Sequence, residues 1–257
     1  MHHSHIDRFA HGDSPVHRLD ARAKLVGVLA YTAVLISFPR YALAAMAPMA
    51  VLPLAMLLLA GIPVTFALRR VAILSPLIVM LCLAAAVYDR APAEVAFGPW
   101  RGVVRGGALT AGNVAVKFAL GLTALTGLMS STPFARLLEA MRRLGAPNLL
   151  VMQLGLLYRY LFVLIDEAMR IRRGRDFRGA ARAPVGRRLA AAGGVLGSLL
   201  VRTLDRSDRI HTAMAARGFV GEPHGLARLR FRWTDAAVLA GVAAYLIFCR
   251  WGYPAMM

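Results

Sequence analysis

Apolar stretches close to membrane-spanning length recur along this chain of 257 residues. No water reaches the hydrocarbon core to pair with peptide groups, so each run must be helical. Five spans are expected. Residues 25–38 form the first, beginning near Ala21 and stopped by Pro39. Residues 41–60 follow a tight turn at Pro39-Arg40, and residues 71–88 come third. Residues 108–129 are interrupted by Asn113 and Lys117, and residues 233–248 are last. A bilayer asks for about 20 residues per helix.

The chain is 58% hydrophobic yet carries a formal charge of +18. A soluble nucleic-acid binder would share the charge but not the apolar runs, so nucleic acid is excluded as a partner. The lipid membrane is implied instead. With the N-terminus in the cytoplasm, segments 1–24, 61–70 and 130–232 hold 25 Lys and Arg, whereas the outer pieces hold five: Arg40, Arg90, Arg101, Arg105 and Arg250. That split follows the positive-inside rule, and the reverse orientation is rejected. The organisation is a cytoplasmic segment 1–24, spans one to four over 25–129, a cytoplasmic domain 130–232, and a last span with the C-terminus, 233–257.

Cys82 and Cys249 both sit in apolar runs without metal or redox spacing and read as packing residues. The polar, His-rich start is not a signal peptide. His2, His3, His5 and His11 have the chemistry for nickel or cobalt, but a plain terminal tail is the reading preferred. No metal site is assigned. No G-x4-G-K-[ST] is present, so the chain should not bind ATP through a P-loop, and no catalytic constellation or cofactor is expected. Lys117 and Asn113 lie in mid-span, where a packing role and a transport role weigh equally.

Region 130–232 is more than a loop. Thr132-Pro133 reads as an N-cap with proline at the first helical position. Phe134, Leu137, Leu138, Met141 and Leu144 form an apolar stripe, with Glu139 and Arg143 paired on the other face. Gly145-Ala146-Pro147 ends that helix. Residues 148–165 are apolar but broken by Gln153 and Arg159. They are expected at the interface rather than as a sixth span, with Arg159 snorkelling between Tyr158 and Tyr160. The helix continues to about Arg175. A second helix, about 186–216, carries Gly193, Gly194, Gly197 and Ser198, which suit a close crossing.

Both helices end in one repeated pattern, D-x3-R-I-x6-R-G. Asp166, Arg170, Ile171, Arg178 and Gly179 spell it first. Asp205, Arg209, Ile210, Arg217 and Gly218 spell it again 39 residues on. Each Asp and the Arg four residues later are read as an intrahelical pair, worth about 0.3–0.5 kcal/mol. Arginine at a helix C-terminus meets the negative dipole end and offers a planar fork to an acidic partner. Glycine after it lets the chain turn. The expectation is that the helices cross and present the two tips side by side, gripping two copies of one partner.

Several segments resemble the T component of energy-coupling-factor (ECF) transporters, above all the CbiQ cobalt-uptake members. His17-Arg18-Leu19-Asp20-Ala21-Arg22-Ala23-Lys24 is similar to the family's opening, HRLDPRAKL. Thr132-Pro133 through Arg142-Arg143-Leu144-Gly145-Ala146-Pro147 is similar to its TTP…LRRLGVP segment, and Tyr158-Arg159-Tyr160-Leu161-Phe162 to TYRYIF. Ala216-Arg217-Gly218 contains its Ala-Arg-Gly signature intact, and Phe177-Arg178-Gly179 carries it with Phe for Ala. The resemblance covers about residues 13–220.

It implies an all-α integral membrane protein of about five transmembrane helices, with a cytoplasmic domain of amphipathic and crossed coupling helices. It implies a non-catalytic subunit of an ATP-driven importer in the cell inner membrane. Its partners would be two cytoplasmic P-loop ATPase subunits (CbiO-like), a substrate-capture membrane subunit (CbiM-like) and a small accessory membrane subunit (CbiN-like). Phe177, Arg178, Gly179, Ala216, Arg217 and Gly218 would dock on the ATPases. The cargo would be a transition metal, cobalt first and nickel as the alternative. A membrane enzyme using Lys117, or a self-contained carrier, are the competing classes.

Overall fold

After the single turn α1, Pro15–Arg18, helix α2, Ala21–Ser37, owes its place to a repeating face. Lys24, Val28, Tyr31 and Leu35, and then Phe38, follow at alternating steps of four and three, and all are buried. Asp20 caps its start, accepting from the Arg22 N–H at 2.9 Å. Pro39 prevents its continuation. The buried face packs on Met46 and Met49 of a 3-10 segment, Ala44–Ala50. It also meets Ala124 and Leu128 of α5 (Gly106–Ser131), Leu137 of α6 (Phe134–Arg143), and Leu246 of α9 (Trp233–Ile247) with Cys249 beyond it. The computed structural model describes residues 12–41, 43–88, 92–97, 100–177, 184–219 and 231–252.

Prolines inside apolar helices free carbonyls that lipid cannot satisfy, and side chains take them up. Pro53 in α3 (Val51–Leu59) has no N–H for the Met49 carbonyl, and Tyr31 Oη donates there at 3.0 Å. Pro76 in α4 (Val64–Tyr88) leaves the Ala72 carbonyl open, and Ser75 Oγ donates to it at 2.8 Å. Tyr245 Oη donates to the carbonyl of Pro48 itself, which also accepts from the Val51 N–H.

Helix α4 starts seven residues before the expected span and takes in Arg69 and Arg70. Pro63 begins it, its carbonyl accepting from Phe66 at 2.9 Å. The Arg70 guanidinium lies 4.7 Å from the centre of the Phe66 ring, so the charge is carried back along the helix on an aromatic face. Helix α5 packs along α4 and against α3, where a Cβ at Gly127 would come within 3.2 Å of Met56 Sδ. Between α4 and α5 stands an element not foreseen: an antiparallel ribbon of β1 (Pro92–Phe97) and β2 (Trp100–Arg105), with Phe97 opposite Trp100. The rest of the described chain is helical or connecting. Helix α9 closes in a wider π-type turn, Phe248–Gly252.

Among the described residues, four helical segments are long and apolar enough to cross a membrane: Val64–Tyr88, Gly106–Ser131, Asn148–Phe177 and Trp233–Gly252. The apolar helix Ala45–Leu59 is shorter, and α2 has 17 residues. The third of the four is α7, which was expected at the interface; in length and composition it qualifies as a span.

The chain packs as two units, residues 1–140 with 228–257, and residues 141–227. At the start of α6 the expected cap is shifted by one residue. The Pro133 carbonyl accepts from Arg136 and Leu137, while Thr132 Oγ1 is buried without a hydrogen-bond partner. The apolar stripe also departs from expectation: Leu137, Leu138, Glu139 and Ala140 are all buried, whereas Leu144 is exposed. The second unit contains α7 (Asn148–Phe177) and α8 (Val185–Ala216), the two longest helices among the described residues.

Candidate functional site: the helix ends of the second unit

Ala216, Arg217 and Gly218 close α8 with a complete C-capping motif. Gly218 has φ +75°. Its N–H donates to Ala215 O at 3.0 Å, and the Phe219 N–H reaches back to Met214 O at 3.1 Å. These are the two bonds of a Schellman turn, which needs a left-handed residue at this position. Open space surrounds Gly218, so the demand for glycine comes from φ and not from crowding. Arg217 is exposed at the C-cap, where orphan carbonyls make the backbone negative. The guanidinium therefore projects from a fixed backbone corner. Gly61 and Gly145 end α3 and α6 with the same pair of bonds, which makes this a recurrent way for the chain to stop a helix.

Of the first tip, Phe177 is the last described residue of α7 and is 91% exposed. Arg178 and Gly179 lie outside the described residues, as do Arg182 and the histidines His2, His3, His5 and His11.

The helices cross, although the first Arg-Gly tip, which is expected beside the second, lies outside the described residues. One groove between them is lined by Leu164, Glu167, Leu199 and Arg202, and the other by Ala168, Arg172, Ala192 and Val195. Advancing along α7 meets earlier turns of α8, so the helices run in opposing senses through the crossing. Phe177 lies about 15 Å beyond Glu167, and Arg217 about 22 Å beyond Arg202, at about 1.5 Å per residue. The ends thus point away from each other and stand on the order of 30 Å apart.

The crossing is not made by the expected small residues. A Cβ at Gly193, Gly194 or Gly197 would meet nothing within 4 Å. Contact comes from Glu167, which forms a short ion pair with Arg202 across the helices and another at 3.5 Å with Arg170. Glu167 lies outside the repeated pattern, beside its member Asp166, and no local signal in the sequence marks it. The small-residue face of α8 is left open, flanked by exposed Leu196, Leu200, Val201 and Leu204.

The mid-span polar residues have a structural account. Lys117 Nζ donates to Ile36 O at 3.1 Å and Phe38 O at 2.7 Å, and Asn113 Nδ2 to Pro39 O at 3.2 Å. They cap the carbonyls that α2 leaves open where Pro39 stops it. Cys249 is buried and Cys82 Sγ approaches Ala111 O at 3.3 Å; both are free. No group of three His, Cys, Asp or Glu side chains comes together among the described residues.

Comparison with known proteins adds a family to this geometry. The CbiQ family, described as cobalt transport protein, matches residues 12–225. The cobalt transport protein CbiQ of Salmonella typhimurium is 34% identical over 134 residues, 51% of this chain and 59% of that protein, so that match spans less than two thirds of the relative. The energy-coupling factor transporter transmembrane protein EcfT of Bacillus selenitireducens is 27% identical across 95% of this chain and 93% of its own length. The nickel permease LarQ of Lactiplantibacillus plantarum is 27% identical over 47% of this chain and 44% of its own. On the extent of the family match, the chain belongs to the CbiQ family, the T components of ECF transporters.

Proposed function

We propose that this chain is the membrane coupling subunit of an ATP-driven metal importer, passing conformational change from two ATPase subunits to a substrate-capture subunit. The observation that carries the reading is the fixed, exposed Arg217-Gly218 helix end. It stands in a repeated pattern, on a chain without an ATP-binding motif, in a family of transport components. An end held by a Schellman turn fixes the backbone from which the guanidinium reaches, so docking has less backbone freedom to lose. Two ends on the order of 30 Å apart suit two separate ATPase copies better than a shared site. Phe177, Arg178 and Gly179 are assigned to one copy, and Ala216, Arg217 and Gly218 to the other. The open small-residue face of α8, with Leu196 and Leu200 beside it, is assigned to the substrate-capture subunit, since small residues let a membrane helix approach closely.

The cargo is assigned to the transition metals, with cobalt ahead of nickel because CbiQ relatives match with higher identity than the nickel permease. The membrane is the cell inner membrane, with the N-terminus and the basic second unit in the cytoplasm. The test is co-expression with candidate P-loop ATPases and capture subunits, followed by copurification and metal uptake. The reading expects a stable assembly that takes up cobalt only with hydrolysable ATP. Uptake by the purified chain alone would defeat it.

A further inference from the structure

The second unit is joined to the first by two chain connections, one leaving through Ser131 and α6, the other returning through Arg232 into α9. Both are tied to the same short segment at the start of α2. Lys24 Nζ donates to Ser131 O at 2.9 Å. The Asp20 N–H donates to Asp235 Oδ1 at 2.9 Å, bridging 215 positions of sequence. Asp235 Oδ2 accepts from the Arg232 N–H at 2.8 Å, so one carboxylate caps α9 and holds α2 together. Asp20, Lys24, Ser131 and Asp235 are exposed by only 6, 7, 1 and 1%.

Charges at this depth need a reason. Burying a charged amine or carboxylate is unfavourable unless its partners are well placed, whereas burying an apolar side chain of the same size is favourable. Asp20 Oδ2 has no hydrogen-bond partner, and the carboxylate is balanced by the Arg22 guanidinium, whose Nε lies 3.9 Å from Oδ1, and by the field of nearby Lys24. Lys24 in turn lies in the fields of Asp20 and Asp235, with Arg136 of α6 opposing. Packing alone would be served by a methionine at 24. The charged arrangement adds direction: each bond fails if either connection shifts by more than a fraction of an ångström.

We infer that Asp20, Lys24 and Asp235 are positioning residues that clasp the outgoing and returning connections into one rigid base. Movement of α7 and α8 then reaches the ends of α5 and α9 together, and neither connection yields alone. The inference rests on the transport reading above, but the clasp itself is a property of the isolated chain.

The test uses both. In the purified chain, spin labels at the exposed positions Ala135 and Phe231 report the separation of the two connections. A narrow distance distribution is expected, and Lys24→Met should broaden it while Lys24→Arg restores it. In the assembled complex, Lys24→Met and Asp235→Asn should keep ATPase copurification but lower uptake per ATP hydrolysed by about tenfold or more, the order of loss a displaced positioning group produces. Lys117→Met, which removes a cap elsewhere on α2, should leave that ratio unchanged. If Lys24→Met does not accumulate, Asp235→Asn, which keeps one acceptor oxygen, carries both measurements. An unchanged distance distribution overturns the clasp. An unchanged uptake ratio, or an equal loss in Lys117→Met, overturns its role in transmission. A wild-type chain that captures no ATPase defeats the transport reading and leaves the label distances to decide the clasp.

Discussion

Gly218 shows how one backbone angle can govern a docking residue. Its φ of +75° costs any side chain with a Cβ about 1–2 kcal/mol, least for asparagine. Gly218→Val should therefore unwind the last turn of α8 and lower ATPase copurification although Arg217 is intact. Gly218→Asn should retain most of it. Equal copurification in both variants would show that the corner is not what presents Arg217. Glu167 teaches a related lesson. One carboxylate serves Arg170 on its own helix and Arg202 on the next, and it is the cross-helix pair that locates the crossing.

The helices were legible where local chemistry decides their ends. Residues 148 and 216 were expected as outer limits of the long pair, and α7 and α8 run Asn148–Phe177 and Val185–Ala216. Glycine, proline and capping residues act within a turn, so they leave a trace in sequence. The job of Lys117 was not legible, because its partners Ile36 and Phe38 lie about 80 positions away and share no period with it. The same holds for Asp20 with Asp235. The ribbon of β1 and β2 was also missed, since its strands are short and lack a clean alternation of apolar and polar residues. Lys117→Met should leave two carbonyls of α2 unpaired in an apolar setting, a cost of about 1–3 kcal/mol. A lower thermal midpoint in detergent with intact uptake per complex is expected. Lost uptake at an unchanged midpoint would give Lys117 a part in transport instead.

The whole chain combines an apolar unit with a basic one, and the account depends on where each faces. Cysteine placed at 101 should be labelled in intact cells by an impermeant reagent, and cysteine at 182 should not; the reverse pattern overturns the orientation. The sense in which α7 and α8 cross was illegible from sequence, because the repeat does not encode it. In the proposed function the repeat makes two separate contacts, one on each ATPase copy. Removing either contact should therefore weaken the assembly without abolishing it. A truncated arginine loses charge-assisted hydrogen bonds worth about 1.5–3 kcal/mol, enough to loosen docking by about tenfold or more. The most direct test is uptake and ATPase copurification for Arg178→Ala, Arg217→Ala, the double variant and Arg182→Ala, which removes a charge between the helices. The account predicts a partial loss for each tip, near abolition for the double, and near wild-type behaviour for Arg182→Ala. Equal damage from Arg182→Ala would mean that basic charge alone matters, and would contradict it.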